Sequence, residues 1–417
     1  MASHGITRTS YSKETRTAAL RREELQKINE YNSLVAEVQS ARSQKNYNDA
    51  TLALTSALLK RNPEFYTIWN YRREILLNGI LPPAVTPKPA PDSEEEKSIS
   101  LILKGELIHL LPLLKSHPKC YALWNHRLWV LSQSGIYLSL EKSQGLWTEE
   151  LVLVGMMLGR DERNFHGWAY RRIVVGAIEK GMVGKGMSLV EQEFEYTTVM
   201  IKSNMSNYSA WHSRTKLVGR LLEERGAKKQ ERMDFLEDEI NFLKKAILTK
   251  PQDQSLWLYY RWLIHSNASP SNSNLNEVIT PNMPHWIKIA LVSSEMEDLT
   301  DMLDMGGTDA SKKWLLASLV GLVGLLRRLR RSKPVRGAKP VDNEDSEEEE
   351  VDEDEDEEGD GVDEKAEMKR VREWVKRLIA IDGEKGKGRR WIDLAANAKD
   401  KQKSNLTIMA GEVVGDT

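Results

Sequence analysis

The chain has 417 residues, 29% of them charged and twelve of them Trp, a soluble composition long enough for one large or two ordinary domains. Its single cysteine, Cys120, excludes an intrachain disulfide and a cysteine-rich zinc site. The net charge of −2 hides an imbalance: residues 342–364 hold 17 Asp and Glu and no Lys or Arg, leaving 60 basic against 62 − 17 = 45 acidic residues elsewhere.

The start, MASHGITRTS, lacks the apolar segment of a signal peptide. Residues 1–18 are expected to form a flexible arm carrying His4. The longest apolar stretch, Trp314 to Leu326, has 13 residues, short of the about 20 that a bilayer span requires. It is expected to be a buried helix, so the chain is read as cytoplasmic with no transmembrane segment.

From residue 45 to 265 one pattern recurs five times, in NPEFYTIWNYRR, HPKCYALWNHR, DERNFHGWAYRR, NMSNYSAWHSR and DQSLWLYYRW. The central tryptophans are Trp69, Trp124, Trp168, Trp211 and Trp257, with separations of 55, 44, 43 and 46 residues. In the first four copies an aromatic precedes Trp by three and an Arg follows by three: Tyr66 and Arg72, Tyr121 and Arg127, Phe165 and Arg171, Tyr208 and Arg214. In the fifth, Arg261 stands four after Trp257. Such spacings predict one shared helical face. Pro63, Pro118 and Pro251 suit early helix positions, and Asp161, Asn204 and Asp253 suit caps. The apolar runs Ala50–Leu59, Leu101–Leu114 and Met233–Leu248 precede the motifs at helical periodicity. Each unit thus reads as a helix, a short break and a second helix bearing Trp and Arg. Equal helical units at a steady period predict an all-α superhelix, a solenoid of helical hairpins. The first period is stretched by PPAVTPKPAPDSEEEK within Leu81–Lys97, expected to be an exposed loop.

Beyond the helical-repeat domain, residues 19–333, a basic then acidic linker is expected over 334–364, because such a run buries too little apolar surface to fold. Helical periodicity returns with Val371, Trp374, Val375 and Leu378 on one face. Helices packing on the repeats are expected over 365–400, followed by a tail over 401–417.

The repeat of Asn, an aromatic, Trp and Arg at about 44-residue spacing resembles the protein prenyltransferase α-subunit repeat. The segments NPEFYTIWNYRREIL, DERNFHGWAYRR, SNYSAWHSR and DQSLWLYYRWL resemble the Rab geranylgeranyltransferase type, in a compact fungal form. Phe165 and Arg261 set the chain apart from the α subunit shared by farnesyltransferase and geranylgeranyltransferase I. A tetratricopeptide-like interaction scaffold fits less well, because the period is not 34.

The resemblance implies an obligate heterodimer with a β subunit that holds the catalytic zinc and the lipid pocket, and no metal or cofactor in this chain. It implies transfer of geranylgeranyl from geranylgeranyl diphosphate to C-terminal cysteines of Rab GTPases presented by a Rab escort protein, and no nucleic-acid partner. It also implies site residues: Lys119 as an auxiliary diphosphate contact, with Tyr121, Asn164, Phe165 and His166 at the active-site rim. His4 matches a His-Gly start that reaches toward the partner's active site. The Trp and Arg ladder and Cys120 are expected to be structural.

Overall fold

The computed structural model describes residues 18–84, 88–181, 188–268, 278–281, 283–332 and 364–382. The described residues contain helices and no strands. They fall into two compact units, Met1–Leu189 and Val190–Thr417. His4, the acidic run up to residue 363 and everything after residue 382 lie outside the described residues.

The first unit holds α1 (Ala18–Ser43), α2 (Asp49–Arg61), α3 (Tyr66–Ile75), α4 (Glu94–Ser116), α5 (Tyr121–Tyr137), α6 (Leu140–Arg160) and α7 (Phe165–Gly181). The pairs α2–α3, α4–α5 and α6–α7 are the hairpins of the first three repeats. The second unit holds α8 (Val190–Ser203), α9 (Tyr208–Glu224), α10 (Lys229–Thr249), α11 (Gln254–Ala268), α12 (His285–Asp304), α13 (Asp309–Arg331) and α14 (Glu364–Asp382). There α8–α9 and α10–α11 carry the fourth and fifth repeats. The Trp314–Leu326 run lies within α13, whose Leu315, Leu316, Leu319 and Val323 are buried. α14 packs on α13 and buries Val371, Trp374, Val375 and Leu378.

All five tryptophans are buried, and each solves its polar problem in the same way. The indole Nε1 donates to the backbone carbonyl six residues earlier: Trp69 to Pro63 at 2.8 Å, Trp124 to Pro118 at 2.9 Å, Trp168 to Glu162 at 2.8 Å, Trp211 to Met205 at 2.8 Å and Trp257 to Pro251 at 2.7 Å. The acceptor belongs to a turn that is also common to all five copies. It is closed by backbone bonds from Phe65 to Asn62, Cys120 to His117, Asn164 to Asp161, Asn207 to Asn204 and Asp253 to Lys250. The prolines therefore sit in these turns, before the helices and not inside their first turn. Of the expected caps, Asp253 holds, accepting from the backbone N–H of Ser255 at the start of α11. Asn164 and Asn207 take the equivalent place in their repeats, whereas Asp161 ends α6 and Asn204 accepts from the N–H of Ser206 within the turn.

The aromatic, Trp and Arg do not share one face. Trp and Arg are buried, but Tyr66, Tyr121, Phe165 and Tyr208, the first residues of their helices, are exposed. The first residue of a helix lies at its end, where the packed neighbour no longer covers it.

Behind Trp69, Trp124 and Trp211, a buried carboxylate joins two repeats. Glu106 accepts from Arg72 Nε at 2.7 Å and lies 2.8 Å from His126 Nε2. Glu150 accepts from Arg127 Nε at 2.7 Å and from the Tyr170 hydroxyl at 2.6 Å. In the second unit Glu239 accepts from Arg214 Nε at 2.9 Å and from the Tyr259 hydroxyl at 2.7 Å. Each Glu thus takes the Arg of one repeat and the residue two after Trp in the next. That second residue also meets the preceding tryptophan ring, with centroids 4.7 Å apart for Trp69 and His126, 4.7 Å for Trp124 and Tyr170, and 4.6 Å for Trp211 and Tyr259. The fifth repeat departs: Arg261 is exposed. Tyr260, three after Trp257, takes the Arg position and donates to Glu295 of α12 at 2.8 Å, with Lys244 as the neutralising cation.

The acidic EEEK stretch is not loop but the first turn of α4, where carboxylates favour the helix N-terminus. Ser93 accepts from Glu96 N at 3.2 Å, while Glu96 accepts from the backbone of Asp92 at 2.7 Å and of Ser139 at 2.6 Å. Burial opposes the Glu96 charge, but these donors, together with Lys142, pull its carboxyl down to about 2.

Two outcomes follow from the buried carboxylates. Glu150→Ala strands the Arg127 guanidinium in the core and is expected to cost about 3–5 kcal/mol. Glu149→Ala, which removes an exposed partner of Lys104, is expected to cost less than ~1 kcal/mol. Urea unfolding of both variants measures the difference. The second outcome concerns acid. Burial, against the opposing pull of Glu106, holds the His126 imidazole at about 4, below the ~6.5 of an unfolded chain. Between these values the unfolded state binds a proton that the native state refuses. The contribution of His126 is therefore complete above pH ~6.5 and falls as the pH drops toward 4. His126→Tyr, which supplies the hydroxyl that Tyr170 and Tyr259 use, is expected to flatten the stability profile over that window. His265, held at about 3, retains a slope of the same sign.

Candidate functional site

The site residues named from the sequence, His4 apart, gather where the turn before α5 meets the start of α7, all within the first unit. Lys119 occupies that turn, two residues ahead of Tyr121, the first residue of α5. Phe165 and His166 open α7. The Tyr121 and His166 rings lie 5.7 Å apart at 59°, and those of Phe165 and His166 lie 4.0 Å apart at 35°. Tyr121 is 61% and Phe165 66% exposed, so the cluster offers aromatic surface outward. Lys119 Nζ stands 3.8 Å from Asp161 Oδ2 across partly exposed side chains, a weak and screened pair.

Asn164 is the exception. It is buried, and both polar atoms of its amide are used inside the chain. It caps α7 and does not present itself at the rim. Cys120 is also buried, its Sγ 3.4 Å from the Pro63 carbonyl, and burial pushes its thiol up. These properties suit an inert core residue.

Sequence reading missed Asp161 as the partner of Lys119, and Glu64 beside the cluster. Aligning the repeats on Trp shows what was available. Glu64, Lys119, Arg163, Ser206 and Gln252 all stand five residues before their tryptophan. The turn thus repeats in backbone while its outward side chain changes from acid to base to neutral. Burial pushes the His166 imidazole below its usual value; Glu64 opposes this and the Lys119 ammonium adds to it. The starts of α5 and α7 add the positive ends of two helices. A cation, two helix N-termini and exposed rings together suit an anionic group carried on an apolar chain. Among the described residues, no group of three or more His, Cys, Asp and Glu is placed to hold a metal ion, and no helix is long and apolar enough to cross a membrane.

The hairpins, the shared turn and the Trp–Arg–Glu bonding define a protein prenyltransferase α-subunit scaffold. The protein prenyltransferase alpha subunit repeat matches residues 49–79, 103–134, 147–178, 190–221 and 236–267, each spanning one hairpin. The geranylgeranyl transferase type-2 subunit alpha of Saccharomyces cerevisiae is 40% identical over 63% of this chain and 73% of its own length. That of Schizosaccharomyces pombe is 37% identical over 76% and 85%. The human one is 33% identical over 65% of this chain and 43% of its own length. Among solved structures, Candida albicans protein geranylgeranyltransferase-I complexed with GGPP matches with a TM-score of 0.52 at 15% identity, over 89% of this chain and 91% of that one, which supports the fold. The chain belongs to the family of geranylgeranyl transferase type-2 α subunits.

Removing the Lys119 charge is expected to raise the midpoint at which His166 titrates, because one of the two influences that lower it disappears while burial remains. Heteronuclear NMR of the histidine rings in Lys119→Ala measures the shift; an unmoved His166 would separate the two side chains.

Proposed function

We propose that the chain acts as the α subunit of a heterodimer that transfers geranylgeranyl from geranylgeranyl diphosphate to C-terminal cysteines of Rab GTPases presented by a Rab escort protein. The names of the relatives at 33–40% identity support the transferase type. The single observation that supports a role at the chemistry is the cluster of Lys119, Tyr121, Phe165 and His166 on one exposed edge. The catalytic zinc and the isoprenoid pocket belong to the β subunit in this reading, and the enzyme is cytoplasmic. Zinc there lowers the acceptor thiol's pKa. Lys119 reaches across the subunit boundary to the diphosphate, where a flexible ammonium is suited to a moving anion. Tyr121, Phe165 and His166 line the rim. Asn164 stands behind them and not among them. His4 remains a proposed contact to the partner's active site. The proposed organisation keeps an arm over residues 1–18, a repeat domain over 19–333, a linker over 334–364, C-terminal helices over 365–400 and a tail over 401–417.

A cation that meets the leaving diphosphate stabilises the transition state more than the ground state, so its loss lowers kcat and leaves KM and stability nearly unchanged. One such contact is worth about 2–4 kcal/mol. Exposure of Lys119 and cations from the β subunit place Lys119→Ala at the low end, roughly a 30-fold slower transfer. Single-turnover transfer to a Rab–escort complex by the heterodimer checks this, with thermal melting alongside. The α subunit alone is expected to transfer nothing and to bind no stoichiometric zinc. Turnover with bound zinc in the single chain would overturn the assignment, and an unchanged chemical rate in Lys119→Ala would remove Lys119 from the site.

A further inference from the structure

The proposed site stands on two separate pieces of backbone, the turn that carries Lys119 and the first residues of α7. One buried side chain ties them. Asn164 Nδ2 donates to the Pro118 carbonyl at 2.9 Å, and Asn164 Oδ1 accepts from the backbone N–H of His166 at 3.1 Å and of Gly167 at 3.3 Å. The Pro118 carbonyl also accepts from Trp124 Nε1 at 2.9 Å. It belongs to the peptide unit that links Pro118 to Lys119. With two donors on its oxygen, that planar unit is held against rotation, and the Lys119 Cα lies at its far edge. The other end of the same amide grips the N–H of His166 itself. Asn164 is only 2% exposed, so it offers no surface to a substrate.

Within the first unit the equivalent position does less in the other repeats. It is Phe65 in the first and Cys120 in the second. The Cys120 thiol reaches the corresponding Pro63 carbonyl at 3.4 Å, and a thiol is a weak donor. A full amide strap in the first unit therefore coincides with the turn that carries Lys119.

We propose that Asn164 is a positioning residue that sets Lys119 and Tyr121 against Phe165 and His166. This rests on the reading of Lys119 as a diphosphate contact. A misplacement of about 1 Å at a reacting centre can cost ~100-fold in rate, so a strap of two short bonds is enough to matter without any contact of its own.

The test is a double-mutant cycle in the heterodimer with its β subunit, read by single-turnover transfer from geranylgeranyl diphosphate. Asn164→Ser keeps a cap oxygen for α7 but is too short to reach Pro118. Asn164→Asp keeps the size and the cap but cannot donate. Serine is a favourable cap, so Asn164→Ser is expected to melt close to the unmodified enzyme, whereas Asn164→Asp, which sets a buried carboxylate oxygen against the Pro118 carbonyl, is expected to melt lower. Each variant is expected to slow transfer on the order of ten-fold with little change in KM. In a Lys119→Ala background, Asn164→Ser is expected to add little, because residues that act through one another are not additive. If Lys119→Ala is slow and the two losses multiply, or either Asn164 variant transfers at the unmodified rate, the positioning role is overturned and the diphosphate reading stands. If Lys119→Ala itself transfers at the unmodified rate, the diphosphate reading falls and takes this role with it.

Discussion

Within each unit, the register of neighbouring repeats depends on a buried carboxylate with two donors from different repeats. Glu106, Glu150 and Glu239 each hold a guanidinium from one hairpin and a ring donor from the next. A buried charge is costly unless it is paired and its remaining lone pairs are used. These carboxylates satisfy both conditions, but only if neighbouring helices sit in one register. The bonds add less stability than apolar packing in the same volume would. What they add is a penalty on every other register, since a shift by one turn leaves an arginine and a glutamate stranded. The tryptophan ladder supplies area, and the carboxylates decide how that area is stacked.

Much of this is legible in the sequence. Five tryptophans at nearly equal spacing announce the hairpins, and the arginine three residues on marks a structural ladder. Its carboxylate partners are also written in the chain. Glu106, Glu150 and Glu239 each stand eighteen residues before the next tryptophan, a spacing too long for the three- and four-residue rules that expose one helical face. It spans a helix, a turn and the start of another helix, so it becomes visible only after the repeats are aligned. The helix start at Glu94 was missed for a different reason. Ser93 and Glu96 form the serine-to-glutamate spacing of a capping box, but the prolines before them and the acid run itself resembled loop chemistry. Arg261 misled because the fifth repeat replaces arginine with Tyr260 and draws its positive charge from Lys244.

The candidate site was legible in part. Lys119, Tyr121, Phe165 and His166 do gather at one place, because equivalent turns in adjacent hairpins lie side by side. Asn164 is grouped with them by the family resemblance, and no one-dimensional pattern separates a residue that shows its side chain from one that turns it inward. The distinction lies in burial: the Asn164 amide is enclosed and fully bonded, whereas the phenyl ring beside it is 66% exposed. Asp161 could not be found from sequence because its link to Lys119 passes between hairpins and follows no period.

The uniform turn shapes how the chain can vary. Its acceptor for tryptophan is a backbone carbonyl, supplied by Pro63, Pro118, Glu162, Met205 and Pro251 alike. Side-chain identity at that position is therefore unconstrained by the bond, while turn length is constrained tightly. The opposite ends of the hairpins obey no such rule: the stretch from Leu81 to Ser93 lengthens the first period to 55 residues without disturbing the Glu106 junction beside it. Each hairpin thus has a calibrated end and a tolerant end. Sequence drift is accommodated at the first by changing decoration and at the second by changing length. A reporter peptide spliced between Pro83 and Pro91 would use the tolerant end, and the same splice in any of the five short turns would break the gauge to which the hairpin is built.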